Sequence, residues 1–139
     1  MDQNVYYWRF TMSEQEKRPD ATIHTVIIQT TRIKEMAAFY GQGLGLGEPI
    51  ATGSDHLGFP LRNVYFGIDL VEQSPAAAGV ISLWFEVEDI EATFNQLKES
   101  GAEVKYAPTK KPWGAVLAAL YDLDGNIFGL TQRGTNPEY

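Results

Sequence analysis

From Thr22 to Thr30 the chain is rich in β-branched residues, a pattern that predicts a strand. At Arg32 the period changes. Ile33, Met36, Ala37 and Tyr40 recur at helical spacing and share one face. The glycine-rich run Gly41 to Gly47 stops that helix and opens a turn. His56 to Val71 predicts two short strands, with the turn at Pro60 to Asn63. Ile81 to Val87 reads as a strand. Asp89 then serves as N-cap of a second helix, because its carboxylate can accept from the first-turn N–H groups. Ile90, Phe94 and Leu97 form the apolar face of that helix and Gly101 ends it. Glu103 to Tyr106, Ala115 to Tyr121 and Ile127 to Gln132 follow as strands. Asp122 to Asn126 joins the last two as a hairpin turn, in which Asp-Gly supplies the positive φ.

Both halves therefore read strand–helix–strand–strand–strand. Thr25 and Ser82, Gln29 and Glu86, Arg32 and Asp89, and Ile33 and Ile90 are each separated by 57 residues. Two such units bury their apolar sheet faces by pairing. Residues 1–20 form an N-terminal arm, aromatic from Asn4 to Phe10 and charged from Ser13 to Pro19. The aromatic part reads as an edge strand or a partner-facing arm, the charged part as linker. A single domain over 21–134 is expected, with modules at about 22–72 and 80–133 and a tail at 135–139. Gln73 to Gly79, with Pro75 and its alanines, reads as the link between modules.

Composition narrows the chemistry. The 139 residues are 44% hydrophobic and 21% charged, as in a folded globular chain of one domain. Eleven basic against eighteen acidic residues leave a net charge of −7. That field repels phosphate backbones and anionic lipid, so neither nucleic acid nor a membrane is expected as partner. Cysteine is absent, which removes disulfides, thiolate nucleophiles and thiolate metal sites. His24 and His56 are the only histidines. No apolar run approaches a bilayer span, and Met1 to Phe10 lacks the pattern of a secretory signal. A cytoplasmic location is the expectation.

Ile23-His-Thr-Val-Ile-Ile-Gln29, then Ala38-Phe-Tyr40 and Leu44-Gly-Leu46, resembles the opening of a vicinal oxygen chelate domain. Phe85 to Ile90, Leu97 to Ala102 and Tyr121-Asp-Leu-Asp-Gly-Asn126 continue the resemblance, which covers about residues 22–133. This superfamily includes glyoxalases, extradiol dioxygenases, fosfomycin-modifying enzymes, epimerases and bleomycin-resistance proteins. The resemblance implies an α+β fold of two βαβββ modules, curved sheets around a shared cavity, and a homodimer. The fold alone does not settle function, because the scaffold hosts both metal enzymes and plain binders.

The metal-dependent members carry one ligand on the first and one on the last strand of each module. By resemblance these positions fall on Thr25, Asp69, Ser82 and Gly129. Hydroxyls are poor ligands for transition metals and glycine has no donor, so no metal and no cofactor is expected. His24 sits one residue from Thr25, so strand alternation turns it to the helix side or the strand end. Asp69 reads as a contact for a cation or basic ligand group, or as a solvated strand residue.

With Thr25 and Ser82 inward, alternation also turns Ile27, Gln29, Trp84 and Glu86 inward. Leu117, Ala119 and Tyr121 share a face on the penultimate strand; Ile127, Gly129 and Thr131 share one on the last. Such apolar, aromatic linings with a few polar anchors suit small organic molecules. Glu86 is the candidate catalytic base if burial raises its pKa, and otherwise an anchor or a partner of Gln29. Trp84 reads as core or as ligand platform. Trp113, between Lys110-Lys-Pro112 and Gly114, reads as a lid or a dimer contact. Lys110 and Lys111 beside it meet an anionic ligand or solvent.

Two functions follow. One is a metal-free binder of a small organic molecule, an antibiotic or a metabolite, contacted by Thr25, Gln29, Asp69, Ser82, Trp84, Trp113 and Tyr121. The acidic balance suits a cationic ligand. The other is a lyase, isomerase or dioxygenase-like enzyme of the same superfamily, metal-independent or with an atypical metal site, using Glu86. A dimeric accessory domain is a blander third reading.

Overall fold

The computed structural model describes residues 22–73 and 81–136. The expected N-terminal arm, most of the link between modules and the last three residues lie outside the described residues. The first module runs β1 (Thr25–Thr30), α1 (Ile33–Gly43), β2 (Ile50–Ala51), β3 (His56–Pro60) and β4 (Tyr65–Leu70). The second runs β5 (Leu83–Val87), α2 (Ile90–Glu99), β6 (Glu103–Lys110), β7 (Val116–Tyr121) and β8 (Ile127–Gln132). Each makes a four-stranded mixed sheet, ordered β1-β4-β3-β2 and β5-β8-β7-β6. First and last strands of each module pair in parallel, and the other neighbours are antiparallel. The fold is α+β with two βαβββ modules, and the helices begin at Ile33 and Ile90, keeping the 57-residue offset.

Three differences from the sequence pattern have physical causes. β1 starts at Thr25, three residues later than the β-branched run, because only from there does β4 offer partners. β2 is only two residues long and lies at the sheet edge. β6 continues past Tyr106 through Pro108 to Lys110. Proline breaks a central strand, but β6 is an edge, and its ladder with β7 shifts register between Tyr106 and Thr109.

The core lies where both helices meet both sheets. Met36, Phe39 and Tyr40 of α1 and Phe94 and Leu97 of α2 pack with Phe59, Phe66 and Ile68 of sheet one and with Leu120, Phe128 and Leu130 of sheet two. Each such side chain contributes roughly 1.5–3 kcal/mol on burial. Tyr40 meets Phe66 edge-on at 5.0 Å and Phe128 at 5.4 Å, and Phe66 meets Phe85 at 5.7 Å. Among the described residues no ladder joins the two sheets; this aromatic cluster does.

A polar clasp reinforces the joint. Asp122, buried in the turn between β7 and β8, accepts from the Tyr40 hydroxyl at 2.6 Å and from Asp124 N, Asn126 N and Asn126 Nδ2 at 2.9 Å each. Gly125 closes that turn at φ +82°. Asp124 accepts from Arg32 Nε at 3.0 Å and from the buried Thr30 hydroxyl at 2.8 Å, and Arg32 also donates to the Leu123 carbonyl. Asp89 caps α2 by accepting from Ala92 N at 3.1 Å, as its position predicts. Among the described residues no helix is long and apolar enough to cross a membrane.

Candidate functional site on the open sheet faces

Strand alternation gives each sheet a core face and an open face. On sheet one the open face is built of rungs. Gln29, Asp69 and His56 sit side by side on β1, β4 and β3; Ile27, Gly67 and Gly58 form the next rung; Thr25, Tyr65 and Pro60 the last. On sheet two the rungs are Glu86, Thr131 and Leu117, then Trp84, Gly129 and Ala119, then Ile127 and Tyr121. The inward sets expected from alternation therefore share a face within each module.

Glycines shape both faces. The Trp84 indole lies over Gly129, where a Cβ would fall 2.0 Å from Trp84 Cε3. Trp84 is 43% exposed and donates from Nε1 to Ser82 Oγ at 3.0 Å. Trp84 is thus exposed within the described chain rather than part of its core. On sheet one Tyr65 lies across Gly58, with its hydroxyl 1.8 Å from where a Cβ would be, and His56 lies over Gly67 with Cε1 at 2.8 Å. The two rings stack at 5.7 Å with 12° between their planes. Ile27, 49% exposed, borders them.

His56 is gripped from both ends. Nδ1 is 2.5 Å from Asp69 Oδ1 and Nε2 is 2.7 Å from Tyr65 Oη. A carboxylate only accepts, so Nδ1–H donates to Asp69; in the neutral imidazole Nε2 then accepts from the Tyr65 hydroxyl. Sequence reasoning picked Asp69 and missed His56 and Tyr65. The available signal was His-x-Gly followed by Tyr-x-Gly-x-Asp, in which small residues make room for rings on one strand face.

Other expected residues are placed as follows. Thr25 stands at the exposed start of β1, with Oγ1 2.5 Å from Nδ1 of the exposed His24 at the strand end. Glu86 is half-exposed and accepts from Arg133 Nε at 3.1 Å. Arg133 also bridges Glu88, and the bond to Glu86, then the Glu88 charge, hold its guanidinium above the ordinary arginine pKa. Among the described residues nothing supplies the burial that would make Glu86 a base, and its partner is Arg133 rather than Gln29. Trp113 is half-buried in the turn between β6 and β7, where Gly114 N donates to the Lys111 carbonyl. Lys111 Nζ sits 4.3 Å from the Tyr106 ring centroid, while Lys110 is exposed. Tyr121 is half-buried on the same face as Trp84.

The four metal-ligand positions implied by the resemblance do not fit a metal. Thr25 and Ser82 bring hydroxyls already bonded to His24 and Trp84, Asp69 is bonded to His56, and the space a side chain at 129 needs is filled by indole. Among the described residues no three His, Cys, Asp or Glu side chains group as metal ligands.

Tandem βαβββ modules, each with a helix-covered core face and an open face carrying polar anchors, define a two-module α+β class of protein. The chain belongs to the glyoxalase/bleomycin resistance protein/dioxygenase superfamily, whose profile matches residues 22–130. Similar solved structures include a glyoxalase-related enzyme from Fulvimarina pelagi, 16% identical at a TM-score of 0.71, covering 84% of this chain and 95% of that one. A family enzyme from Burkholderia phytofirmans PsJN is 21% identical at a TM-score of 0.72, covering 81% and 98%. A glyoxalase/bleomycin resistance protein from Albidiferax ferrireducens T118 is 22% identical at 0.68, covering 80% and 98%. At these identities the likeness is one of fold. No curated protein matches the chain significantly.

Proposed function

We propose that the protein binds a small organic molecule, an antibiotic or a metabolite, on its open sheet faces without a metal, as a cytoplasmic homodimer. The observation that carries this reading is the Trp84 platform: a half-exposed indole laid flat on glycine and braced by Ser82. Exposed aromatic surface of this kind stacks on flat or apolar ligands. Ile27 and Ile50, about half-exposed on the open side of sheet one, add apolar surface that a second copy or the ligand would cover. The net charge of −7 attracts cationic ligands, an effect that weakens with salt.

The test is titration of a panel of aromatic and cationic antibiotics, followed by tryptophan fluorescence and calorimetry with and without chelator. Saturable binding is expected for at least one, unchanged by chelator and weakened about tenfold by Trp84→Ala, the size of one lost aromatic contact. A panel that produces neither heat nor a fluorescence change overturns the reading.

A further inference from the structure

The trio on sheet one has an arrangement that ligand binding on Trp84 does not use. Tyr65 Oη, His56 and Asp69 form one chain: hydroxyl to Nε2 at 2.7 Å, Nδ1 to carboxylate at 2.5 Å. This is the order of an activated nucleophile, its base, and the group that orients the base. The rings are locked by stacking and by the two glycines beneath them, so the geometry is preset. His56 and Asp69 keep 20% and 37% of their side-chain surface, so the chain is reachable from the open face.

We propose that Tyr65 is a nucleophile that accepts acyl groups from activated esters, with His56 as its base and Asp69 as the positioning residue. Tyr65 Oη attacks the ester carbonyl while its proton passes to His56 Nε2; the carbon–oxygen bond to the leaving group breaks, and His56 returns the proton to the departing oxygen. Asp69 holds the Nδ1 proton and stabilises the transient imidazolium. The product is an O-acyl tyrosine and a free phenol. Water then attacks that acyl carbon, giving its proton to His56, and tyrosine leaves and is reprotonated by His56. A phenolate is far less basic than an alkoxide. It therefore reacts well only with donors whose leaving groups are no more basic than itself, which means aryl esters. For the same reason its own ester hydrolyses readily. This assignment does not rest on the binding reading, which is carried by Trp84 on sheet two.

The full-length chain is treated with p-nitrophenyl acetate, and release of nitrophenol and the acetylated peptides are followed. Acetyl on Tyr65, trapped by acid quench before it hydrolyses, is expected, with His56→Gln slowing acylation about 100-fold, as for loss of a general base. Asp69→Asn should slow it at least about tenfold through the wrong imidazole tautomer. Tyr65→Phe keeps the ring over Gly58 and should abolish the adduct with the circular dichroism spectrum unchanged. Lys98→Ala, at an exposed position on α2, should leave acylation intact. Acetyl groups spread over lysines, or equal rates with His56→Gln, overturn the proposal. Wild-type turnover in Tyr65→Phe also overturns it, by making His56 itself the nucleophile.

Discussion

The hydroxyl of Tyr40, on the first helix of module one, donates to the buried carboxylate of Asp122 in the last turn of module two, at 2.6 Å and 82 residues away in sequence. The ring of the same tyrosine packs on Phe66 of sheet one and Phe128 of sheet two. One side chain thus ties the modules by both polar and apolar contacts.

Tyr40→Phe should keep the ring packing and lose the bond to a charged acceptor. Asp122 retains three donors, so the expected cost is about 2 kcal/mol in urea unfolding. Burial first, then the Asp122 charge, hold the Tyr40 phenol well above the ordinary tyrosine range. Below pH about 10, the ordinary tyrosine value, Tyr40 is protonated in both states and the stabilisation is complete. Above it the unfolded state loses the proton and the folded state keeps it, so stability falls as pH rises. Unfolding at pH 9 and pH 11 should show a smaller drop for Tyr40→Phe than for wild type; equal drops would show that Tyr40 does not carry the alkaline loss.

The neighbouring pair Arg32 and Asp124 should behave asymmetrically. The guanidinium side is 45% exposed, so Arg32→Ala should cost less than about 1 kcal/mol. Asp124→Ala also strips the buried Thr30 hydroxyl of its acceptor and should cost about 2 kcal/mol. Chemical denaturation of both variants decides this, and equal costs would mean that Thr30 finds water instead.

The local parts of this design were legible in the chain. Ile33, Met36 and Tyr40 announce α1 by spacing, Asp89 announces the cap of α2, and Asp122 to Asn126 announces a hairpin turn. The turn's second role, as acceptor for Tyr40, was not, because it joins elements from opposite ends of the chain. The open faces show the same division. Alternation alone puts Trp84, Gly129 and Ala119 on one surface. Whether Trp84 is core or platform depends on what covers that surface, and strand periodicity is the same in either case. His56 reaches Asp69 only through the β3–β4 ladder, whose register is set by the turn at residues 61–64 and not by either residue's neighbours.

Gly129 gives a direct test of the platform. A Cβ there falls within the Trp84 indole, so Gly129→Ala must displace the ring, at a cost of about 1–3 kcal/mol. In Trp84→Ala the obstacle is gone, and the same substitution should then be close to neutral. A double-mutant cycle measures the coupling, which should exceed about 0.5 kcal/mol, as for residues in contact. The tryptophan emission of Gly129→Ala should shift to the red as the indole leaves its glycine floor. No coupling and no shift would mean that Trp84 does not rest there in solution.

The same glycine decides the metal question. A divalent site of the superfamily type needs donors from both ends of both modules. Here the donors are Thr25, bonded to His24; Asp69, bonded to His56; Ser82, bonded to Trp84; and none from Gly129. One carboxylate, itself bonded to His56, falls short of the four ligands of zinc, the roughly six of magnesium or the roughly six to eight of calcium. Protein purified without a histidine tag should therefore carry far less than one metal per chain, and chelator should leave its Tm unchanged. Replacing Gly129 with glutamate should not create a site, because the new side chain meets indole before it meets Asp69 or Ser82. Near-stoichiometric zinc, iron, manganese or nickel in the untagged protein would show that the chain binds metal through donors other than these four.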